Sequence, residues 1–426
     1  MKSEEKCLLG PRLRFPEFQD AGKWAINEFS KYIVLYRGSS PRPIQNYFSS
    51  DSNGVNWIKI GDTKFAKNFV ISKVEEKITP EGAKKSRKVN TGELILANSM
   101  SYGKTYQVAI DGCIYDGWFV LRDYEKYFDK QFLLQLLNSD YMQSQYEKFS
   151  AGGIVQNISS EIVYKTLLPH TSQIEQQKIA DCLSSLDTLI SAQTQKIDTL
   201  KTHKKGLMQQ IFPSEGETIP RLRFPVFRDG GDWRTQRIEE LAKRGSGHTP
   251  DKKKASYYSG GIKWVSLADS NMLDNGYLYS TKIEISTEGL KNSSAVLHPV
   301  GTVILSRDAG VGKSAILNSD MAVSQHFMAW VCDKSKLSNW FLYYVLQILK
   351  PTFESIAVGS TIKTIGLPYF KALCISVPSI EEQQKIADCL SSLDILISAQ
   401  TQKLDALKIH KKGLMQLLFP ALEADA

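Results

Sequence analysis

The chain writes one helix twice. Residues 176–213 read QQKIADCLSSLDTLISAQTQKIDTLKTHKKGLMQQIFP, and residues 383–420 read QQKIADCLSSLDILISAQTQKLDALKIHKKGLMQLLFP, 207 positions later. Six of the 38 pairs differ: Thr188/Ile395, Ile197/Leu404, Thr199/Ala406, Thr202/Ile409, Gln210/Leu417 and Ile211/Leu418. A long-period repeat constrains architecture before any local reading does. Buried helices tolerate apolar exchange. Near-identity that includes polar positions therefore implies a shared partner surface, mutual pairing of the copies, or recent duplication.

Both copies carry a heptad seam. In the first, Ile179, Leu183, Leu186, Ile190, Gln193, Ile197, Leu200, Lys204, Leu207 and Ile211 step by four and three. The second repeats it with Ile386, Leu390, Leu393, Ile397, Gln400, Leu404, Leu407, Lys411, Leu414 and Leu418. That alternation is the a/d pattern of paired helices. At 1.5 Å per residue each copy makes a rod of about 57 Å. Pro213 and Pro420 stop the two rods. The expected partner of each seam is the other copy, packed antiparallel. Gln193 and Lys204 interrupt the seam, either to fix register or because it opens to solvent or to another subunit there.

The repeat extends into the preceding segments. PRLRFPEF at 11–18 returns as PRLRFPVF at 220–227, and Trp24 returns as Trp233. Gly38-Ser39-Ser40-Pro41 matches Gly247-His248-Thr249-Pro250. Gly54, Trp57 and Asp62 match Gly261, Trp264 and Asp269, and Gly103-Lys104 matches Gly312-Lys313. VNWIKIGD and IKWVSLAD alternate like half-buried strands, and ELILAN and TVILS read as short buried strands. FLLQLLNSDYMQS and WFLYYVLQILK have helical spacing. Asp111-Gly112, Asp116-Gly117 and Asn275-Gly276 mark tight turns. The fold class is therefore α+β: two pseudo-symmetric mixed domains joined by two long antiparallel coiled-coil helices. The expected divisions are 1–171, a helix over 172–213, a second domain over 214–378 and a second helix over 379–420.

Composition sets outer limits. The 426 residues are 42% hydrophobic and 23% charged, the make-up of a globular protein of two to four domains. No apolar run reaches about 18 residues, so no membrane span is expected. The start MKSEEKCLLGPRLRF lacks an apolar signal core, which favours the cytoplasm. Six scattered cysteines without a C-x-x-C pair read as reduced thiols, and no metal pattern appears. The net charge of +8 permits a polyanion partner without establishing one.

Two unlike domains held apart by paired rods form a ruler, which suits a target split into two half-sites on one face of DNA. The chain resembles the specificity subunit of type I restriction–modification systems. The resemblance spans essentially the whole sequence. It is carried by the E-Q-Q-K-I helix openings (Glu175–Ile179, Glu382–Ile386), the K-K-G-L-M-Q endings (Lys204–Gln209, Lys411–Gln416) and the P-R-L-R-F-P lead-ins. The G-x-T-P element (Gly247–Pro250), the G-x-x-W…D strands and R-D-x-G-x-G-K (Arg307–Lys313) also fit. It implies two target recognition domains on double-stranded DNA, with two methyltransferase subunits carrying S-adenosylmethionine. Restriction and translocase subunits carrying ATP and Mg complete the implied complex, and this chain itself would hold no cofactor. The first half departs from the pattern at Ser40, and at Ala97-Asn98-Ser99 against Ser306-Arg307-Asp308. Domains that read different bases should differ there.

Apparent catalytic motifs are weak. Ala309–Ser314 looks like a phosphate loop, but Arg307 stands where its first glycine must turn. Asp62 with Glu75-Glu76-Lys77 resembles a nuclease triplet of a kind common by chance. No methyltransferase N-P-P-[YF] occurs, and no nucleophile pairs with a histidine in a recognisable signature. No catalytic residue is therefore assigned. The alternatives are a non-catalytic DNA-binding or protein scaffold of another defence system, or a nucleotide-binding enzyme.

By chemistry, Lys84, Lys85, Arg87, Lys88, Lys104, Lys252, Lys253, Lys254 and Lys313 suit phosphates, which position without specifying. Base edges call for forks, amides and hydroxyls. Candidates are Arg42, Arg87, Asn98, Ser99 and Tyr102 in the first domain. In the second they are His248, Thr249, Lys291, Asn292, Arg307, Asp308 and Gln325. Trp57 and Trp264 read as core anchors.

Overall fold

The structure is a computed structural model that describes residues 10–99, 103–150, 157–359 and 363–420. It divides into two compact units. One comprises the chain up to Thr194 together with the segment from Lys403 onward; the other is Gln195–Gln402. The boundaries fall inside the long helices Gln173–Ile211 and Ile380–Leu418, not where those helices meet the sheets.

The first unit holds a five-stranded sheet in the order Val34–Arg37, Trp118–Arg122, Leu94–Ala97, Thr105–Val108, Val70–Ile71. The second unit repeats it as Ala242–Ser246, Phe327–Cys332, Val303–Ser306, Ser314–Leu317, Tyr277–Leu278. Leu94–Ala97 and Val303–Ser306 are buried at every residue. Both faces are covered, so these strands read as apolar runs with no alternation. A second sheet in the first unit runs Phe48–Ser49, Glu76–Ile78, Val55–Ile58, Gly112–Ile114, Arg87–Val89. Its counterpart is Glu284–Ile285, Tyr258–Val265, Met321–Val323, Leu297–His298. The parallel pairs keep one register, Ile58 opposite Ile114 and Val265 opposite Val323. A two-stranded ribbon completes each unit, Ala25–Glu28 with Leu167–His170 and Arg234–Arg237 with Cys374–Val377.

The duplicated motifs clasp each other. In the first unit Arg14 of P-R-L-R-F-P makes a fork onto Glu175 of E-Q-Q-K-I, with Nε–Oε1 and Nη2–Oε2 both 2.7 Å. The carboxylate is fully buried and also accepts from Trp24 Nε1 and the Thr171 hydroxyl. In the second unit Arg223 and Glu382 repeat the fork at 2.8 and 2.7 Å. Gln176 accepts from the Asp129 amide and donates to the Tyr127 and Thr171 carbonyls; Gln383 serves Ser338, Lys336 and Pro378 in the same way. These groups must meet partners once buried. Their identity in both copies needs no outside partner to explain it.

Within the first unit the opening of the first long helix runs antiparallel to the close of the second. Ile179 and Leu183 share a core with Trp24, Phe132, Leu418 and Phe419. In the second unit Ile386 and Leu390 share a core with Ile211, Phe212, Trp233 and Phe341. The seam is thus not purely helix against helix: its first turns in each copy are absorbed into the sheet domain's core. Along the first helix Leu186 and Ile197 are buried, and Ile190, Leu200 and Leu207 half-buried; along the second Leu404 is buried, and Leu393, Ile397, Leu407 and Leu414 half-buried.

The seam lysines are ion-paired. Lys411 Nζ lies 2.7 Å from both Asp187 oxygens, and Asp187 also accepts from Gln135. Lys204 Nζ lies 2.5 Å from Asp394, which also accepts from the Tyr344 hydroxyl. The seam at these points is closed by charge, a solution the a/d pattern does not display. No described helix is long and apolar enough to cross a membrane.

Candidate nucleic-acid interface

Three loops converge at matching places in each unit. The first is the G-x-[ST]-P turn. A Cβ on Gly38 would lie 1.9 Å from the Tyr115 carbonyl oxygen, and one on Gly247 would lie 1.6 Å from that of Val323. Only glycine permits that approach. The next residues bond at equivalent places, the Ser39 amide to the Ile114 carbonyl and the His248 amide to the Val323 carbonyl. The second loop follows the buried strand, at Asn98-Ser99 and at Arg307-Asp308. The third precedes strands Trp118–Arg122 and Phe327–Cys332, at Asp116-Gly117 and at Gln325-His326.

A side-chain bond ties the first and third loops in both units. Ser40 Oγ donates to Asp116 Oδ1, and Thr249 Oγ1 donates to Gln325 Oε1 at 2.6 Å. The scaffold is common and the tips differ: Ser39/His248, Arg42/Asp251, Asn98/Arg307, Ser99/Asp308, Asp116/Gln325 and Gly117/His326.

In the first unit the loops border a hollow of about 440 Å³ lined in part by Arg37, Asn98, Tyr115 and Asp116. Asn98 is buried and donates to the Asp116 carbonyl at 3.0 Å, so it holds the loop; Ser99 lies 3.5 Å from the Tyr115 hydroxyl. Arg42 is exposed, its guanidinium 3.9 Å from Asp116 Oδ2. The basic run joins this site. Ser86 Oγ donates to the Ser39 carbonyl, and Lys85 Nζ reaches the Tyr47 hydroxyl at 2.6 Å. Arg87 donates to the Arg37 carbonyl and, with Arg122, lies over the Tyr36 ring at 5.4 and 5.5 Å. Lys84 and Lys88 are exposed. Lys104 is half-buried, and burial lowers its pKa against the opposing pull of Asp140 and Glu147. Tyr102 lies outside the described residues.

In the second unit His248 is exposed, and its carbonyl accepts from Trp264 Nε1. Lys252, Lys253 and Lys254 are exposed, and Lys254 donates to the Tyr257 hydroxyl at 3.0 Å. Lys291 and Asn292 close the helix Thr287–Lys291; both are exposed, and Asn292 donates to the Glu288 carbonyl. Asp308 is committed within the loops. It pairs with His326 Nδ1 at 2.7 Å, accepts from the Thr364 hydroxyl, and lies 3.8 Å from Arg307 Nε. Lys313 Nζ donates to the Ser270 carbonyl at 2.9 Å, an intramolecular anchor.

Two catalytic look-alikes resolve into scaffolding. The Gly-Lys segment is a hairpin joining antiparallel strands, with the Gly312 amide on the Ser306 carbonyl, whereas a phosphate loop leads from strand to helix. Asp62 is fully buried and accepts the backbone amides of Lys59 and Glu75; Asp269 does the same for Ser266 and Lys282. Among the described residues no group of three or more His, Cys, Asp or Glu is placed to hold a metal.

Sequence reasoning missed Asp116, His326, Arg37, Arg122 and Thr364. Asp116-Gly117 was legible as a turn. The available signal was its alignment with Gln325, already a candidate.

Comparison with known proteins agrees with this architecture. Residues 230–408 match the sequence model of the type I restriction modification DNA specificity domain. The type I restriction enzyme MjaVIII specificity subunit of Methanocaldococcus jannaschii is 22% identical over 420 residues, covering 95% of this chain and 93% of its own. The putative type I restriction enzyme MjaX specificity subunit of the same organism is 23% identical over 305 residues, 70% and 69% of the two chains. The EcoR124I/EcoR124II specificity subunit of Escherichia coli is 25% identical over 247 residues, 55% and 56%. Among solved structures, the type I restriction–modification S subunit from M. genitalium shares the fold at TM-score 0.58 and 14% identity, covering 97% of this chain and all of that one. A chain from a study of complex assembly and conformational transition of the type I R-M system matches at TM-score 0.59 and 19% identity, covering 93% and 97%. With its repeated sheet domains and two long helices, the chain is similar along its length to type I restriction enzyme specificity subunits, and its second half matches their DNA specificity domain.

Proposed function

We propose that the chain is the DNA-reading subunit of a type I restriction–modification enzyme, each sheet domain reading one half of a bipartite, asymmetric target. One observation carries this: two domains of one topology and register present different side chains on the same three converging loops. The exposed Lys84, Lys85 and Lys88 of the first unit, and Lys252–Lys254 of the second, take phosphates. The long helices set the spacer and scaffold two methyltransferase subunits, with restriction and translocase subunits joining them in the cytoplasm. Exposed helix residues identical in both copies, such as Gln177/Gln384, Lys178/Lys385 and Lys201/Lys408, support docking of two like partners. The chain itself is non-catalytic. S-adenosylmethionine, ATP and Mg belong to the partners.

The test is single-molecule methylation sequencing of a host genome with and without the gene. A motif of two unlike half-sites separated by unread bases should appear only with it. A contiguous motif, or no change, would overturn the reading.

A further inference from the structure

We propose that the side chain at position 116 in the first domain, and at the matching position 325 in the second, selects one base on the contacted strand of each half-site, with opposite hydrogen-bonding polarity. The inference rests on the reading of these domains as DNA readers.

Asp116 stands where a carboxylate needs a reason. Arg37, Arg42, Arg87 and Arg122 make its surroundings basic, suited to a phosphate backbone that repels carboxylates. The residue is also fixed. Its backbone carbonyl accepts from Asn98 Nδ2 and Arg37 Nε, and Oδ1 accepts from Ser40. Oδ2 has only the exposed Arg42 guanidinium at 3.9 Å among the described residues, and the side chain is 42% exposed. The Ser40 hydrogen bond, then a backbone hydrogen bond and the nearby Arg42 and Arg37, hold the carboxyl below its ordinary range despite partial burial, so it remains a pure acceptor.

In the major groove an acceptor finds a donor on cytosine N4 or adenine N6, and meets acceptors on guanine O6 and thymine O4. A carboxylate held in this way selects cytosine or adenine and rejects guanine and thymine. Gln325 occupies the same place with its Oε1 engaged by Thr249, leaving its amide N–H groups without a partner among the described residues. Those donors face the acceptor edge of guanine or thymine, or adenine N7. One clasp, hydroxyl to the side chain of the third loop, thus presents an acceptor in one domain and a donor in the other.

The test uses the full chain with its modification subunit. It methylates a duplex library in which the bases of one half-site are randomised and the other half-site is kept. Asp116→Asn retains the oxygen that meets Ser40 and turns Oδ2 into an N–H donor. One position of the first half-site should come to admit guanine or thymine, by roughly tenfold to a hundredfold, with cytosine disfavoured and adenine retained only through its N7. The second half-site should stay as it was. Gln325→Glu should make the reverse change in the second half-site alone. An unchanged motif overturns the proposal, as does a uniform drop in methylation with the same base preferences. A folded Asp116→Asn chain that methylates no library member also overturns it, because Asp116 would then be structural. Failure of the underlying reading shows separately, in the unaltered chain, as the absence of any two-part motif.

Discussion

The clasp between Arg14 and Glu175 can be tested against its own duplicate. Glu175→Ala removes a buried carboxylate that takes two guanidinium bonds, the Trp24 N–H and the Thr171 hydroxyl. Removing one partner of a buried pair costs about 3–5 kcal/mol, because the other charge stays desolvated. Arg14 keeps 15% exposure and its bonds to the Ala21 and Gly22 carbonyls. That places the loss at the low end, about 3 kcal/mol. For a unit of this size a Tm falls by roughly 2–4 °C per kcal/mol, so about 6–12 °C is expected for the first unit. Calorimetry of the full chain gives the shift, and hydrogen–deuterium exchange gives its place. Peptides around Arg14 and Glu175 should lose protection, while those around Arg223 and Glu382 keep theirs. The double variant Arg14→Met/Glu175→Met should recover at least half the loss, since an apolar pair leaves no orphaned charge. A loss below about 1 kcal/mol, equal deprotection at both clasps, or strictly additive single variants would refute the argument.

Other consequences follow from the same contacts. Leu390→Ala, at a fully buried seam position, should destabilise the second unit by about 2–5 kcal/mol in urea unfolding, with the first unit's transition unmoved. Replacing Lys84, Lys85 and Lys88 together by glutamine should flatten the slope of log affinity against log salt by up to about 3 while leaving the motif intact. Gly247→Ala, whose Cβ would overlap the Val323 carbonyl, should abolish recognition of the second half-site while circular dichroism shows both long helices retained. Lys313→Ala should lose about 1 kcal/mol of stability with its Ser270 bond, and calorimetric titration with nucleotide should give the same result for this variant as for the unaltered chain.

Much of the architecture was readable because it was written twice. Alternation marked Val55–Ile58 and Tyr258–Val265, apolar runs marked the central strands, and the heptad marked both long helices. The pattern could not show which charges would meet. Arg14 and Glu175 are 161 residues apart, and Lys411 and Asp187 are 224 apart, so only the packed fold brings them together. The heptad flagged Lys204 as an interruption; Asp394 lies off the seam, and its role as a partner depends on the register of packing. In the loops, residue type alone does not tell which side chains the fold itself engages. Asn98, Asp308 and Lys313 have the right chemistry for DNA, yet their side chains bond within the protein. Asp116 reads as a turn former, but Ser40 engages only one of its carboxylate oxygens, and the other lies 3.9 Å from the exposed Arg42 on a side chain that stays 42% exposed.

The end of the second long helix supplies Leu418 and Phe419 to the core that holds Trp24 and Phe132, and the Leu13 amide bonds the Leu417 carbonyl. On the ribosome this imposes an order. The residues that seal the earlier lobe are translated after every residue of the later one, so the lobe begun first must wait, with part of its oily interior open, until the later lobe has been made. Vectorial synthesis therefore finishes the molecule in the reverse of the order in which it starts it, and a chaperone that shields the waiting surface would raise the yield of the intact chain more than that of the second lobe alone.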